Sequence, residues 1–156
     1  MATKMTTETI DSFDKAILDQ LSTNGRITIT ELSHNIGLSK TPCQTRVKRL
    51  EADGFITGYR ALLDPIKLGL DHVAFVEVKL TKTNERALRD FNAKVMQIKE
   101  IEQCHMIAGG FDYLLKVRTQ SITEYRRVMG ERISSLPNVA STSTFVAMEA
   151  VKEGVL

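Results

Sequence analysis

A short segment of this 156-residue chain, between residues 39 and 49, combines cationic and hydrogen-bonding side chains. From Lys40 up to Leu50 it contains no acidic residue. Cations neutralise the phosphates of a nucleic-acid backbone, and glutamine and threonine side chains can form hydrogen bonds with base edges. These residue types indicate a DNA-binding surface, with a solvated basic helix face as the alternative. The candidate residues are Ser39, Lys40, Thr41, Pro42, Gln44, Thr45, Arg46, Lys48 and Arg49.

A loop with two consecutive glycines is the second feature that could bind a ligand. Gly109 and Gly110 precede Phe111 and Asp112. Glycine has no Cβ atom, so a ligand or another backbone can approach it closely. An ordinary hairpin turn explains the same residues, and the residues alone favour that explanation. The nearby run 141–144 (Ser-Thr-Ser-Thr) can bind a ligand through its hydroxyls or simply face water.

The basic segment requires a helix that presents it on one side. At about 100° per residue, Cys43, Val47 and Leu50 fall on one apolar arc. The opposite face carries Thr41, Gln44, Thr45, Lys48 and Arg49, with Lys40 and Arg46 on the flanks. The turn Gly37-Leu38-Ser39 joins this helix to a preceding one, as in helix-turn-helix units. The spacing therefore predicts that the second helix of such a unit carries the DNA-binding surface.

The residues around this unit predict one further helix and a wing, and cap residues mark where the two helices of the unit begin. Phe13, Ile17 and Leu21 form the apolar stripe of a first helix that ends at Asn24-Gly25. Thr30 is the predicted cap of a short second helix, and Ser39 caps the third, which runs to about residue 52. Residues 55–63 predict two short strands around a turn at 57–58. Arg26 is a further candidate for a phosphate contact, or it only caps a helix end.

The second half of the chain predicts a ferredoxin-like βαββαβ arrangement, so the fold class is α+β. Residues 72–80 alternate and are rich in β-branched side chains, which predicts the first strand. Asn84 and Ser121 are the predicted helix caps. The other strands are predicted at 102–108, 112–118 and 139–148. The predicted division is a DNA-binding domain at 1–63 with a disordered tail at 1–9, a linker at 64–70, and a ferredoxin-like domain at 71–156.

The bulk composition excludes several classes of protein. The net charge of +2 is slight, and no apolar run approaches the roughly 20 residues that span a bilayer. We therefore expect a cytoplasmic protein without membrane contact. Cys43 and Cys104 are far apart, and His72 and His105 lie away from acidic or thiol clusters, so we expect no metal and no cofactor. No nucleophile elbow, phosphate-binding loop or zinc-protease motif is present, and we expect no enzyme.

Several motifs together resemble the leucine-responsive and asparagine-responsive (Lrp/AsnC) family of transcription regulators. The resemblance covers nearly the whole chain and rests on the runs 10–14 (IDSFD), 24–26 (NGR), 38–43 (LSKTPC), 46–51 (RVKRLE) and 54–59 (GFITGY). It implies a winged helix-turn-helix joined to a ferredoxin-like domain that binds an effector and assembles the protein into dimers, tetramers or octamers. The exposed run 39–49 is most similar to members that control the catabolism of proline or other amino acids.

The resemblance also implies that the glycine loop binds the effector. The implied residues are Ala108, Gly109, Gly110, Phe111, Asp112 and Tyr113, with alanine at 108 where relatives more often have threonine. An amino acid would suit this loop, because Asp112 can pair with its ammonium group and backbone N–H groups can bind its carboxylate. A ligand-independent architectural DNA-binding protein is the alternative.

The first predicted strand also indicates self-association. Val73, Phe75 and Val76 would leave much apolar surface on a sheet with one bare face. We therefore expect a symmetric dimer that covers this face.

Overall fold

The computed structural model describes residues 10–153, which form two compact units that divide between residues 62 and 63. The first unit contains α1 (Ser12–Thr23), α2 (Ile29–Asn35) and α3 (Lys40–Ala52). The second contains β1 (His72–Leu80), α4 (Glu85–Val95), β2 (Ile101–Met106), β3 (Tyr113–Thr119), α5 (Ile122–Val128) and β4 (Val139–Val146), with a π-helical turn, Met129–Ile133, directly after α5. The predicted tail at 1–9 lies outside the described residues.

The caps of the first unit fix where its helices begin. A capping box starts α1, in which the Asp14 backbone N–H donates to Asp11 and the Asp11 N–H donates to the Asp14 carboxylate. Thr28, and not the predicted Thr30, caps α2, and its hydroxyl oxygen accepts from the Glu31 N–H at 3.2 Å. The prediction failed because the helix begins one residue before Thr30, which places Thr30 inside its first turn. Gly37 has φ +72°, the left-handed conformation that lets the chain turn between α2 and α3.

The core of the first unit is small and apolar. It consists of Ile17, Leu32, Cys43, Val47 and Leu50, so α3 packs through the arc that its periodicity predicted. The two predicted strands of the wing are absent from the described residues 55–63, which run as an irregular, extended segment. Its backbone rejoins α3 through the Ile56 N–H, which donates to the Leu50 carbonyl at 3.1 Å.

The second unit is a four-stranded antiparallel sheet of order β2-β3-β1-β4, which confirms the ferredoxin-like prediction. The α4 and α5 helices cover one face, where Val76, Val78, Phe91, Leu115 and Val117 are fully buried. Two apolar residues of these helices do not reach this core, since Met96 is 83% exposed and Ile122 is 50% exposed. Each lies at a helix end, beyond the part that the sheet covers.

The opposite face of the sheet carries apolar and charged side chains and has no helix over it within the described residues. Phe75 and Phe145 are directly paired across β1 and β4 and are 37% and 54% exposed. The prediction placed Val76 here as well, but Val76 is fully buried on the helical face, as strand alternation requires. Val73 is also largely covered, so the bare apolar surface is smaller than predicted.

Four charges form a network on this bare face. Arg118 Nε donates to Glu102 at 2.5 Å and a terminal nitrogen of Arg118 donates to Glu153 at 2.9 Å, while the Lys116 amine contacts both carboxylates. The Lys116 contact gives the largest lowering of the Glu153 pKa below its ordinary value. Since Glu153 lies beyond β4, this network holds the segment after β4 against β3.

The predicted linker is an ordered turn at the start of the second unit. The Leu68 N–H donates to the Asp64 carbonyl at 3.3 Å, and the Leu70 N–H donates to the Pro65 carbonyl at 2.8 Å. Within residues 10–153, no helix combines the length and apolar character needed to cross a membrane.

Candidate functional site

The outer face of α3 presents nearly all of the predicted DNA-binding residues to solvent. Its inner face is buried in the core through Cys43, Val47 and Leu50, which fixes which side points outward. Pro42 lies in the first turn, where a missing N–H leaves no helical hydrogen bond unmade. The exposed candidates are Ser39, Lys40, Thr41, Pro42, Gln44, Thr45, Lys48 and Arg49.

The polar groups on this face differ in how free they are to bind. The Thr45 hydroxyl donates to the Thr41 carbonyl at 3.0 Å, which leaves its oxygen as an acceptor. Within the described chain, Gln44 donates no side-chain hydrogen bond, and Lys40 and Lys48 form no ion pair. Gln44 therefore keeps both amide groups available for a base edge, and the two lysines keep their charge available for phosphates.

Arg46 and Arg49 are different, because both turn back toward α1. Arg46 donates to Asp14 at 2.8 Å and to Asp11 at 2.7 Å, and Arg49 donates to the other oxygen of Asp14 at 2.5 Å. The Arg46 side chain is only 26% exposed and its guanidinium lies 5.5 Å from the centre of the Phe13 ring. Arg46 was predicted to contact DNA from the flank of the helix; in the structure its guanidinium ties α3 to α1.

Hydrogen bonds within this cluster shift the pKa values of Arg46 and Asp11 in opposite directions. Asp14, followed by Asp11, raises the pKa of Arg46 through hydrogen bonds. The Asp14 backbone N–H and then the Arg46 guanidinium lower the pKa of the Asp11 carboxyl. Sequence reasoning did not find these pairs, because 32 and 35 residues separate Asp14 from its two arginines. The only available signal was an acid in the first turn of α1.

Arg26 lies in the turn between α1 and α2. Its backbone N–H donates to the Asn24 side chain at 3.0 Å, and the residue is exposed. The cap of α1 is Asn24, so the side chain of Arg26 is left for solvent or for a phosphate.

The glycine loop is fastened to the end of β1 by Asp112. The Asp112 N–H donates to the Val78 carbonyl at 2.9 Å, and Asp112 Oδ2 accepts from the Leu80 N–H at 2.7 Å. Its Oδ1 atom lies 3.8 Å from the Lys79 amine. The carboxylate is thus already engaged, with a side-chain exposure of 16%. Asp112 therefore shapes the loop in addition to any contact with a ligand.

The loop itself is open to solvent. Ala108, Gly109 and Gly110 are exposed, and Phe111 is partly buried. A Cβ atom added at Gly110 would meet nothing within 4 Å, and one at Gly109 would meet only the Ile107 side chain at 3.5 Å. The described residues therefore leave free space directly beside the two glycines.

Tyr113 was predicted to line the effector site, but it faces the helices. It is 2% exposed, and its ring centre lies 4.4 Å from that of Phe91. Burial is the main reason why its pKa is raised. Tyr113 anchors the loop from below and cannot reach the exposed side of Gly109 and Gly110.

Lys79, near the end of β1, reaches the glycine loop and was not among the predicted site residues. Its amine lies 3.4 Å from the Gly110 carbonyl and is 49% exposed as a side chain. Ser141 pairs with Lys79 across β1 and β4 and shares its face, whereas the Thr144 hydroxyl is 2.5 Å from the Tyr125 hydroxyl on the helical face. The run 141–144 thus divides between the two faces, as alternation predicts.

Other chemistry-bearing residues have structural surroundings. His72 Nδ1 lies 3.0 Å from the Thr119 hydroxyl, and burial raises the pKa of the Cys104 thiol to about 11. No group of three histidine, cysteine or acidic residues converges within residues 10–153. A cleft of about 630 Å³ lies in the first unit between α1 and the segment 55–62, away from the exposed face of α3.

Comparison with known proteins assigns both halves. Residues 10–57 match the winged helix-turn-helix DNA-binding family, and residues 73–156 match the Lrp/AsnC ligand binding domain. The chain is 61% identical, over 98% of both chains, to a proline dehydrogenase transcriptional activator of Rhizobium radiobacter. It is 58% identical to a protein of the same name from Rhodobacter capsulatus, over 94% of this chain and 96% of that one. A transcriptional regulator of Neisseria meningitidis solved with L-methionine has a TM-score of 0.87 and 32% identity, covering 93% of this chain and 94% of that one.

Proposed function

This chain belongs to the Lrp/AsnC family of DNA-binding transcription regulators, and we propose that it controls a proline dehydrogenase gene in response to an amino acid. The observation that carries the target is the 61% identity to a proline dehydrogenase activator over 98% of both chains. Proline is the first effector to test, because the substrate of a catabolic enzyme is the natural signal for making it.

The proposed DNA contact is the exposed face of α3 in the major groove. Lys40, Lys48 and Arg26 would neutralise phosphates, and Gln44 and Thr45 would read base edges. This assignment rests on the burial of the opposite face of α3 and on the free polar groups that remain. Ser39, Thr41 and Pro42 would lie against the backbone at the start of the helix, where N–H groups favour phosphates. A dimer would read two half-sites about one helical turn, or a multiple, apart.

The proposed effector site is the open side of the loop 108–112. An amino-acid ammonium would approach Asp112 Oδ1, and the Gly109 and Gly110 backbone and the Lys79 amine would receive the carboxylate. The exposed glycines with free space beside them support this placement. The L-methionine complex of the related Neisseria meningitidis regulator supports an amino acid as the type of ligand. A ligand here lies near the bare face of the sheet, through which the protein would assemble.

The proposed assembly is a symmetric dimer through the bare face of the sheet, with further association into tetramers or octamers. Phe75 and Phe145 provide apolar surface at its centre, and a two-fold axis would bring the same residues of two copies together. This places effector binding and self-association on one surface, so one can change the other.

A footprinting experiment on the proline dehydrogenase promoter of the source organism tests the function. We expect protection of two half-sites, and a changed footprint or transcript level when proline is added. A control promoter from an unrelated operon should show no protection at the same protein concentration. Protection of the promoter without any response to the twenty amino acids would leave the DNA target standing and refute the effector proposal. No protection at all would refute the target.

A further inference from the structure

We propose that Asp14 determines the sequence specificity of DNA binding by withholding Arg46 and Arg49 from DNA phosphates. The inference rests on the placement of α3 against DNA proposed above. Asp14 is 1% exposed, and its two carboxylate oxygens bind one arginine each. Both arginines belong to α3, the helix that presents Gln44 and Lys48.

A buried carboxylate is an effective competitor for a guanidinium. Its oxygens accept charge-assisted hydrogen bonds from the same guanidinium N–H groups that would otherwise donate to a phosphate. Asp14 is already in place, whereas a phosphate must arrive from solution. A second acid, Asp11, binds the same nitrogen of Arg46 at 2.7 Å. Arg46 therefore has two intramolecular partners and Arg49 has one.

Phosphate contacts and base contacts contribute differently to DNA binding. Phosphate contacts attract every DNA sequence and supply most of the affinity for random DNA. Base contacts supply the difference between the operator and random DNA. With Arg46 and Arg49 occupied, α3 offers DNA mainly Lys40 and Lys48 as cations. The protein thus limits its affinity for random DNA while Gln44 stays exposed for base contacts.

The test is Asp14→Asn, measured by fluorescence anisotropy on the footprinted operator and on random DNA over a range of salt concentrations. The asparagine side chain of this variant has no charge, so Arg49 loses its only acidic partner and Arg46 keeps only Asp11. We expect random DNA to bind at least threefold more tightly, and log Kd to depend more steeply on log salt by about 1–2 in slope. The ratio of random to operator Kd should fall at least threefold.

Asp19→Asn is the matched control. Asp19 is an exposed acid on α1, and its loss changes the net charge by the same amount without freeing either arginine. We expect this variant to keep the ratio of the two Kd values within twofold of wild type. An equal fall in both variants would mean that net charge alone is responsible, and it would overturn the proposal.

A purely structural role for Asp14 predicts a different result. In that case Asp14→Asn would weaken binding to both DNAs without a steeper salt slope, and this result would also overturn the proposal. If the variant does not fold, as judged by circular dichroism, Arg49→Gln in the presence of Asp14 decides. Because Arg49 is withheld, that variant should keep the salt slope of wild type within about 0.3, whereas a fall of about 1 would refute the idea.

Lys48→Ala separates this inference from the placement of α3. If α3 lies on DNA, the salt slope of Lys48→Ala should fall by about 1. A normal fall for Lys48→Ala with no rise for a folded Asp14→Asn would refute the role of Asp14 alone. No change for Lys48→Ala would instead refute the proposed DNA contact.

Discussion

The carboxylate of Asp112 accepts a hydrogen bond from the backbone N–H of Leu80 at 2.7 Å, so one acid joins the glycine loop to the end of the central strand β1. The same side chain provides the negative charge beside Gly109 and Gly110. Its structural and ligand-binding roles can be separated by two substitutions, because asparagine keeps an acceptor oxygen and alanine does not.

Asp112→Asn should keep the fold and weaken effector binding. Its amide oxygen can still accept from Leu80, but the charge that pairs with an ammonium group is gone. Losing one partner of a buried charge pair costs about 2–5 kcal/mol, so effector affinity should fall at least tenfold. Titration calorimetry with the effector measures this, and operator binding should stay within twofold of wild type. Asp112→Ala, in contrast, should also lower the melting temperature. Equal effector affinity in wild type and Asp112→Asn would remove Asp112 from the site.

Gln44→Ala should relax the preference for one base pair. The Gln44 amide is exposed on α3, and a bidentate contact to a base is worth about 1–3 kcal/mol of discrimination. Competition binding with operators substituted at each position measures the loss, which should be confined to one position of each half-site. Lys48→Ala is the control, since a lost phosphate contact weakens all sequences alike. A uniform loss for Gln44→Ala would contradict base reading.

Phe145→Asp should reduce self-association. Phe145 is 54% exposed and paired with Phe75 on the bare face, and a carboxylate there would have to be buried in the interface. Ile122→Asp is the matched control, because Ile122 is 50% exposed and begins α5, which covers the opposite face of the sheet. Light scattering at micromolar concentration should show wild type and Ile122→Asp as oligomers and Phe145→Asp at a lower mass. A monomeric wild type would refute assembly altogether.

Glu153→Gln should destabilise the second unit in a pH-dependent way. The folded pKa of Glu153 lies below its ordinary value of 4.5, first because of Lys116. Its stabilising contribution is therefore fully present above pH 4.5 and is lost as the pH falls through the lower folded value. The urea midpoints of wild type and variant should differ at pH 7 and converge in acid. Glu149→Gln, an exposed acid in the same segment, should show no such convergence.

The order of elements was predictable because each strand and helix carries its own local pattern. Alternation over 72–80 gave β1 its correct bounds, and Asn84 and Ser121 cap the helices as predicted. The predictions were less accurate where a residue distant in sequence determines which way a side chain points. Arg46 turns toward Asp14 and is only partly exposed, because this acid, 32 residues away in sequence, binds its guanidinium.

In the glycine loop, too, the sequence motif does not give the direction of each side chain. Tyr113 is the first residue of β3, so strand alternation turns it inward although its neighbour Asp112 faces the loop. A sequence motif does not record that change of side. Residues 55–63 carry β-forming residues but form no strand in the described chain, because no second segment pairs with them there.

The geometry at Asp112 also determines which of its contacts the proposed effector would have to replace. Oδ2 is committed to Leu80, and withdrawing it would leave a backbone N–H unpaired at a cost of about 1–3 kcal/mol. Oδ1 is the remaining acceptor, and the Lys79 amine lies 3.8 Å from it. In the proposed complex, the ammonium group of the effector would therefore replace the Lys79 amine beside the carboxylate. The displaced Lys79 amine would then lie beside the carboxylate of an amino-acid ligand and could pair with it. A simple amine has no carboxylate, so it would leave the displaced lysine without an acidic partner.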